Sequence, residues 1–402
     1  MDLADINLTD PVFWRSANRV EAFRVLRDES PVHWQEFAKN SGVDAKGFWA
    51  VTRYDDIVTV STDAKTYVNG LGVGLRDSTR ERARVEGWFL NMDAPEHFRL
   101  RQVVSKAFSP AGVQKMRALA ESYAKELVAK AKADGGCDYA EDIAHPFPVA
   151  IVTEYLGAPK DYRARLQELT VTALSGDVSG AESAASAFDE LNNIGAELAA
   201  ERRKKAQDDV ISIIVAAEVD GHRFTDLEVG YFFQLLVTAG IETTGTVGAQ
   251  LLRLFLDNPE QMAIWAADPD GTAPTGIEEA VRVITPIIHF RRTAAVDTVL
   301  NGQPIAAGDK VVMWYPSGNQ DERKFADPLK FDVTRNPNPH LGFGGGGRHT
   351  CLGSHFARME LPFLVKETLQ QLGKIELSGE PIFVPSRAVN GLKSLPITFK
   401  PN

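Results

Sequence analysis

One uninterrupted helical signal near the middle of the chain constrains the fold more than any other feature. It begins at "TDLEVGYFFQLL", where Thr225 and Glu228 have the spacing of a capping box, each side chain answering a backbone N–H at the helix start. No proline follows until Asn258-Pro259, where a helix would stop. The signal covers roughly 30 residues, or about 45 Å of helix, so it must cross the whole body of the protein. Through "YFFQLLVTAGIETTGTVGAQLL" it is apolar nearly all round, and a helix of that kind is buried.

The middle of this helix breaks its own rule. "AGIETTG", Ala239 to Gly245, sets two glycines, a carboxylate and two threonines where a core helix wants none of them. Glycine costs about 1 kcal/mol there relative to alanine. Threonine bonds back to the preceding turn and bends helices, and a buried glutamate needs a partner. Something is expected to approach the helix closely at this point.

Around it, helical signals dominate and strand-like ones cluster nearer the two ends. "GFWAVTRYDDIVTVS", from Gly47, reads as a short strand followed by a helix, and residues 113–134 have apolar residues at helical spacing. With no internal repeat and no long linker, residues 1–402 are expected to form a single domain, mainly α with small β-sheets. The formal net charge of −10, from 54 acidic and 44 basic residues, argues against a general nucleic-acid binder. Two cysteines, Cys137 and Cys351, allow no disulfide framework. No signal peptide is evident, and the most apolar stretch, "YFFQLLVTAGI", falls short of the roughly 20 residues that span a bilayer. A cytoplasmic protein without a membrane anchor is expected.

Near the C-terminal end, "HLGFGGGGRHTCLGSHFAR" (340–358) gathers four consecutive glycines, three histidines and Cys351. A phosphate loop would lead into Gly-Lys-Ser/Thr, and here the run leads into Arg348-His349-Thr350-Cys351. His340, His349, Cys351 and His355 offer zinc ligands, but His349-x-Cys351 is tighter than structural or catalytic zinc patterns. A third reading uses one thiolate. From Leu352 onward the chain looks helical, and a helix start lowers a thiol's pKa and stabilises its anion. Glycines without side chains would let the backbone approach a flat ligand. A single thiolate with N–H donors is a ligand that haem iron uses.

"FGGGGRHTCLG" resembles the haem-ligand loop of the cytochrome P450 superfamily, in its soluble bacterial form. Gly347, His349, Cys351 and Gly353 stand at matching positions, and Phe343 lies one residue farther from the cysteine than in the commonest form. Further motifs follow in the family's order. "AGIETTG" is similar to the oxygen-binding segment, with Glu242 and Thr243 as its acid–alcohol pair; "EEAVR" supplies Glu279 and Arg282; "HFRLR" supplies His97 and Arg101; "FRRTAAVD" supplies Arg292. "DPLKFDVTR" is similar to the segment completing the Glu–Arg network, through Arg335 or Lys330.

The resemblance implies haem b held by Cys351 as axial ligand, with His97, Arg101, Arg292 and His349 on the propionates and Gly240, Phe343 and Gly353 against the cofactor. It implies that Gly240 and Thr243 open a local gap in the helix for O2, that Thr243 and Glu242 deliver protons, and that Glu279, Arg282 and Arg335 are structural. The activity implied is hydroxylation of a C–H bond in a hydrophobic small molecule: a terpenoid, a steroid or a branched lipid, or alternatively a small aromatic compound. Electrons would come from a ferredoxin and its reductase, docking on Arg99, Lys106, Lys115, Arg117, Arg348 and Arg358. Substrate contacts are expected in segments 69–77, 171–182, 285–290 and 389–394, with Val73, Ala239, Ile287, Ile288, His289 and Leu392 lining the pocket. A peroxide-driven enzyme and a non-catalytic haem sensor are the alternatives, and an intact acid–alcohol pair disfavours both.

Overall fold

In the computed structural model the central helix runs unbroken from Asp226 to Asp257, 32 residues and about 48 Å long. Residues 1–10, 13, 18–37, 46–76, 79–174, 180–384 and 386–400 are described; residues 175–179 and Asp77, within two of the expected substrate segments, lie outside them. Both halves of the capping box form: the Glu228 N–H donates to Thr225 Oγ1 at 3.2 Å, and the Thr225 N–H to Glu228 Oε2 at 2.8 Å.

Two helices, Pro146–Leu156 and Ala181–Lys204, cross the central one and bury its sides. At the second crossing the backbones touch. A Cβ on Gly230 would lie 2.3 Å from the Asn192 carbonyl oxygen, and one on Gly195 would lie 2.6 Å from Phe233 Cβ. Any larger residue at either place would force the helices apart.

The main sheet is built from the two ends of the chain. Its strands are β1 (Val32–Glu36), β2 (Gly47–Val51), β3 (Tyr67–Val68), β4 (His289–Ala294) and β5 (Lys310–Trp314), in spatial order β1-β2-β5-β4-β3. β5 runs parallel to β2, with Val312 opposite Ala50, and antiparallel to β4, with Val312 opposite Arg291. It is buried at every position, which is why "KVVMW" reads as a run rather than an alternation. A second sheet joins Gly136–Asp138, Lys374–Leu377 and Pro396–Lys400.

The strand-then-helix expected from Gly47 forms as β2 and the helix Tyr54–Thr62. The helix expected over 113–134 comes in pieces: Pro110–Val113, capped by Ser109, a turn at Gln114–Met116, then Arg117–Asp134, closed by Gly135 at φ +74°. The architecture is mainly α with small sheets. Among the described residues, no helix is long and apolar enough to cross a membrane.

Candidate functional site

Cys351 stands two residues before Gly353, the N-cap of the helix Ser354–Gln371, so the helix starts later than its sequence pattern at Leu352 suggests. The Cys351 N–H donates to the Phe343 carbonyl at 2.9 Å, closing the loop on itself. The residue is solvent-accessible, although protein surrounds its sulfur. Burial pushes its thiol up, opposed by the N–H groups of Gly353 and Ser354 and by the guanidinia of Arg101 and Arg358. The helix start alone was expected to lower this pKa; in the protein by itself desolvation outweighs it.

The glycine run also has a reason within the chain itself. Gly344, Gly346 and Gly347 take φ of +99°, +88° and +76°, a turn that side chains resist. A Cβ on Gly345 would lie 2.9 Å from Ser61 Cβ, and one on Gly347 would lie 2.7 Å from the Ser61 carbonyl oxygen. Ser61 Oγ donates to the Gly346 carbonyl at 2.9 Å. These glycines therefore wrap the loop onto the end of the helix Tyr54–Thr62. Gly353 is the glycine beside the sulfur, its Cβ position 4.0 Å from Cys351 Sγ.

Phe343, whose extra spacing distinguishes this loop, is covered by the Arg358 guanidinium at 4.4 Å from its ring centre. Arg358 also grips Glu278, Nε to Oε1 at 2.6 Å and Nη2 to Oε2 at 2.8 Å, and His340 Nε2 lies 3.0 Å from Glu278 Oε2. Burial raises the Glu278 carboxyl, but Arg358 and His340 together hold it down to about 2. His340 Nδ1 accepts from the Gly342 N–H at 3.0 Å, so both of its nitrogens are engaged away from any metal. Sequence reasoning passed over Glu278, although it is the first glutamate of "EEAVR".

Beside the loop lies a buried cluster of nitrogen bases. His97 and His349 stack with ring centres 3.9 Å apart. Both ring nitrogens of His97, and Nδ1 of His349, have no hydrogen-bond partner among the described residues. Burial lowers His97 to about 4 and His349 to about 2, and the groups that push further the same way include Arg101, Arg292 and Arg348. Arg292 is itself buried, with Nη1 donating to the Arg291 carbonyl at 3.0 Å, and Arg101 Nη2 donates to the Thr350 carbonyl at 2.6 Å. Buried polar groups left without partners are costly, and an anion with several oxygens would satisfy this set.

The central helix opens where the sequence departs from a core pattern. Ala239 is exposed and Gly240 and Thr243 are half-buried, between turns that are buried. The helix is continuous there, and Thr243 Oγ1 donates to the Ala239 carbonyl at 2.7 Å. A Cβ on Gly240 would lie 3.0 Å from Val152 Cγ2, so this glycine makes room for the helix Pro146–Leu156. Gly245 makes room for His145, whose Nδ1 would lie 2.4 Å from an added Cβ. Glu242 is buried and turned away from Thr243: Thr246 Oγ1 reaches its Oε1 at 3.5 Å, and a Cβ on Gly391 would lie 3.0 Å from that same oxygen. Burial pushes the Glu242 carboxyl up, with His145 and Thr246 opposing. Acid and alcohol are neighbours in sequence but face different surroundings. Glu360, a further buried acid that the motifs did not mark, is pushed up to about 8 by burial against a bond with Thr244.

Glu279 is the hub of a second buried cluster. Arg282 Nε and Nη2 donate to its two oxygens at 2.7 and 2.8 Å. Arg335 Nε donates at 3.1 Å, Asn338 Nδ2 at 3.0 Å and the Asp332 N–H at 3.0 Å. The third partner is thus Arg335. Lys330 offers only its carbonyl, to Arg282 and Arg335, while its amine lies 3.8 Å from Asp332.

Comparison with known proteins gives one family throughout. A cytochrome P450 family model matches residues 274–382. A methyl-branched lipid omega-hydroxylase of Mycobacterium tuberculosis is 38% identical, over 99% of this chain and 95% of that protein. The chain belongs to the cytochrome P450 family. A steroid C26-monooxygenase of the same organism is 32% identical, over 98% of this chain and 92% of that one. A solved Mycobacterium marinum cytochrome P450 in complex with pseudoionone is 39% identical, with a TM-score of 0.93 and 98% of both chains covered. This P450 is a haem-dependent monooxygenase, and its residues fit the haem: an accessible cysteine, and beside it arginines and histidine nitrogens without partners among the described residues, suited to two propionates.

Of the expected substrate residues of this P450, three are left partly open: Val73, Ala239 and Ile287. The other three are core. Ile288 is buried with Val312 and Trp314, His289 packs edge-on to Trp314 at 4.8 Å, and Leu392 is fully buried with its carbonyl facing His145 Nε2 at 2.8 Å. They border the sheet and the central helix, so their side chains are spent on packing. The expected docking cations are also partly committed. Arg99 pairs with Asp220 at 2.9 Å, Lys115 with Asp208 at 3.1 Å and Arg358 with Glu278, and Arg117 lies over the Phe363 ring at 4.8 Å.

Proposed function

We propose that this P450, acting as one haem domain over its whole length, hydroxylates a C–H bond of a chain-like hydrophobic lipid. A methyl-branched lipid is the first choice, with steroid side chains and terpenoids in the same chemical class. The likeness along 99% of the chain to a methyl-branched lipid omega-hydroxylase carries this reading. The pseudoionone held by the Mycobacterium marinum relative, an open-chain branched ketone, agrees with it.

Cys351 is assigned as the iron ligand, and His97, Arg101, Arg292 and His349 as the propionate partners. The haem, when bound, supplies O2 activation and oxidation of the C–H bond. The chain's own part is to place and protonate. Thr243 spends its proton on the Ala239 carbonyl, so its oxygen is left to accept a hydrogen bond from water in the cleft. Glu242, whose carboxyl is pushed up by burial, is assigned as the proton donor and must turn from Gly391 toward Thr243 to serve. Electrons are assigned to a ferredoxin with its reductase, with Lys106 and Arg348 as the cations of the expected set for which no pairing is described.

The test is a spectral titration of the ferric protein with an iso-branched fatty acid, cholestenone, pseudoionone and a small aromatic. The branched chains should give the tightest spin shift. A response to the small aromatic alone would overturn the assignment.

A further inference from the structure

Two buried cations that take no part in the cofactor cluster converge on one loop. Arg291, on β4, donates from Nε to the Gly72 carbonyl at 3.1 Å, from Nη1 to the Arg76 carbonyl at 3.2 Å and from Nη2 to the Leu71 carbonyl. Its backbone N–H donates to the Val73 carbonyl at 2.7 Å. Lys310, on β5, donates from Nζ to the Leu75 carbonyl at 2.9 Å. From Leu71 to Arg76, every carbonyl but that of Gly74 is thus held from the sheet. The stem of the loop is held by the opposite charge: Asp93 accepts the N–H groups of Asn69 and Gly70 at 2.7 and 2.9 Å.

A stretch without regular structure of its own is ordinarily mobile. This one is tied by charge-assisted bonds, which are stronger than neutral ones. Arginine suits the place, because its planar fork reaches three carbonyls where an ammonium offers a point charge. Arg291 and Arg292 are consecutive on β4, so they point to opposite faces of the strand. Arg292 goes to the cofactor cluster and Arg291 to the loop, so one strand sets the position of both.

We propose that Arg291, supported by Lys310, is a positioning residue for substrate selection: it holds the loop Leu71–Arg76, and with it Val73, in its binding geometry before the lipid arrives. The proposal rests on the reading of Val73 as a pocket residue. A pocket wall fixed in advance binds more tightly, because ordering it is not charged to the ligand.

The test uses the haem-loaded full chain with Arg291→Lys, Arg291→Met and Lys310→Met; the lysine variant serves if the methionine one fails to fold. Hydrogen exchange at residues 71–76 should accelerate about tenfold or more, with the rest of the chain unchanged. The dissociation constants of pseudoionone and an iso-branched fatty acid should rise by about fivefold or more, and KM should rise while kcat holds. Unchanged exchange in the loop would overturn the proposal, as would exchange rising evenly across the fold. A freed loop with unchanged dissociation constants would overturn the role in selection. Val73→Phe separates the two readings: if it leaves every ligand's affinity intact, Val73 is not a pocket residue, whatever the Arg291 variants do to exchange.

Discussion

Two buried charged clusters behave in opposite ways. Around Glu279, both carboxylate oxygens are answered by Arg282, Arg335, Asn338 and the Asp332 N–H, all from this chain. Around His97 and His349, ring nitrogens stand without partners among the described residues, and the surrounding charged groups that act on them are cations. The first cluster is complete and belongs to the scaffold. The second is incomplete, and what it lacks is an anion. The proposed reading gives that charge to the haem propionates, and on it the same chemistry of buried ions distinguishes a structural site from a binding site.

The comparison breaks most visibly at Arg282. Arg282→Ala leaves Glu279 buried with part of its charge unanswered, a change that costs about 3–5 kcal/mol and takes much of a typical folding stability of about 5–15 kcal/mol. Denaturant unfolding should show a large loss or no folded protein. Arg292→Met should do the reverse: the protein without haem should hold or gain stability, because a buried cation whose charge burial disfavours is gone. Its haem affinity should fall about 10–100-fold, from the loss of a charge-assisted bond worth about 1.5–3 kcal/mol. Haem titration alongside thermal melting separates the two effects.

Thr243→Ala leaves both clusters whole, so it should load haem normally and divert reducing equivalents to peroxide, read as peroxide formed per NAD(P)H consumed. Tight coupling in that variant would remove Thr243 from proton delivery. The smallest effect belongs to Glu278. Its folded pKa of about 2 lies below the ordinary 4.5, so the stability from its pairing with Arg358 and His340 is fully present above pH 4.5 and is lost as pH falls toward 2. Glu278→Gln should therefore lower the melting temperature at neutral pH, and the gap from the parent should close in acid.

The features legible in the sequence were those whose reasons are local. The capping box, the long apolar helix, the i,i+3 pairing of Glu279 with Arg282 and the cysteine before a helix all lie within a few residues of their partners. What was not legible depends on contacts between distant segments. The glycines 344–347 read as clearance for a flat ligand, but at Gly345 and Gly347 a side chain would also meet Ser61, some 285 residues earlier in the chain. Gly240 makes room for Val152, and Glu242 faces Gly391. Ile288 and Leu392 have the apolar character of pocket walls, yet the sheet and the core claim them. Composition told apolar from polar at these places, but not which neighbour the side chain would meet.

The central claim is that Cys351 holds the iron while the incomplete cluster holds the propionates. The direct test is the absorbance spectrum of the reduced, carbon-monoxide-bound protein. Thiolate ligation by Cys351 predicts a main haem band moved strongly to the red, and Cys351→His should abolish that shift while the cluster still retains haem. A parent spectrum at the position of histidine-ligated haem would contradict the account.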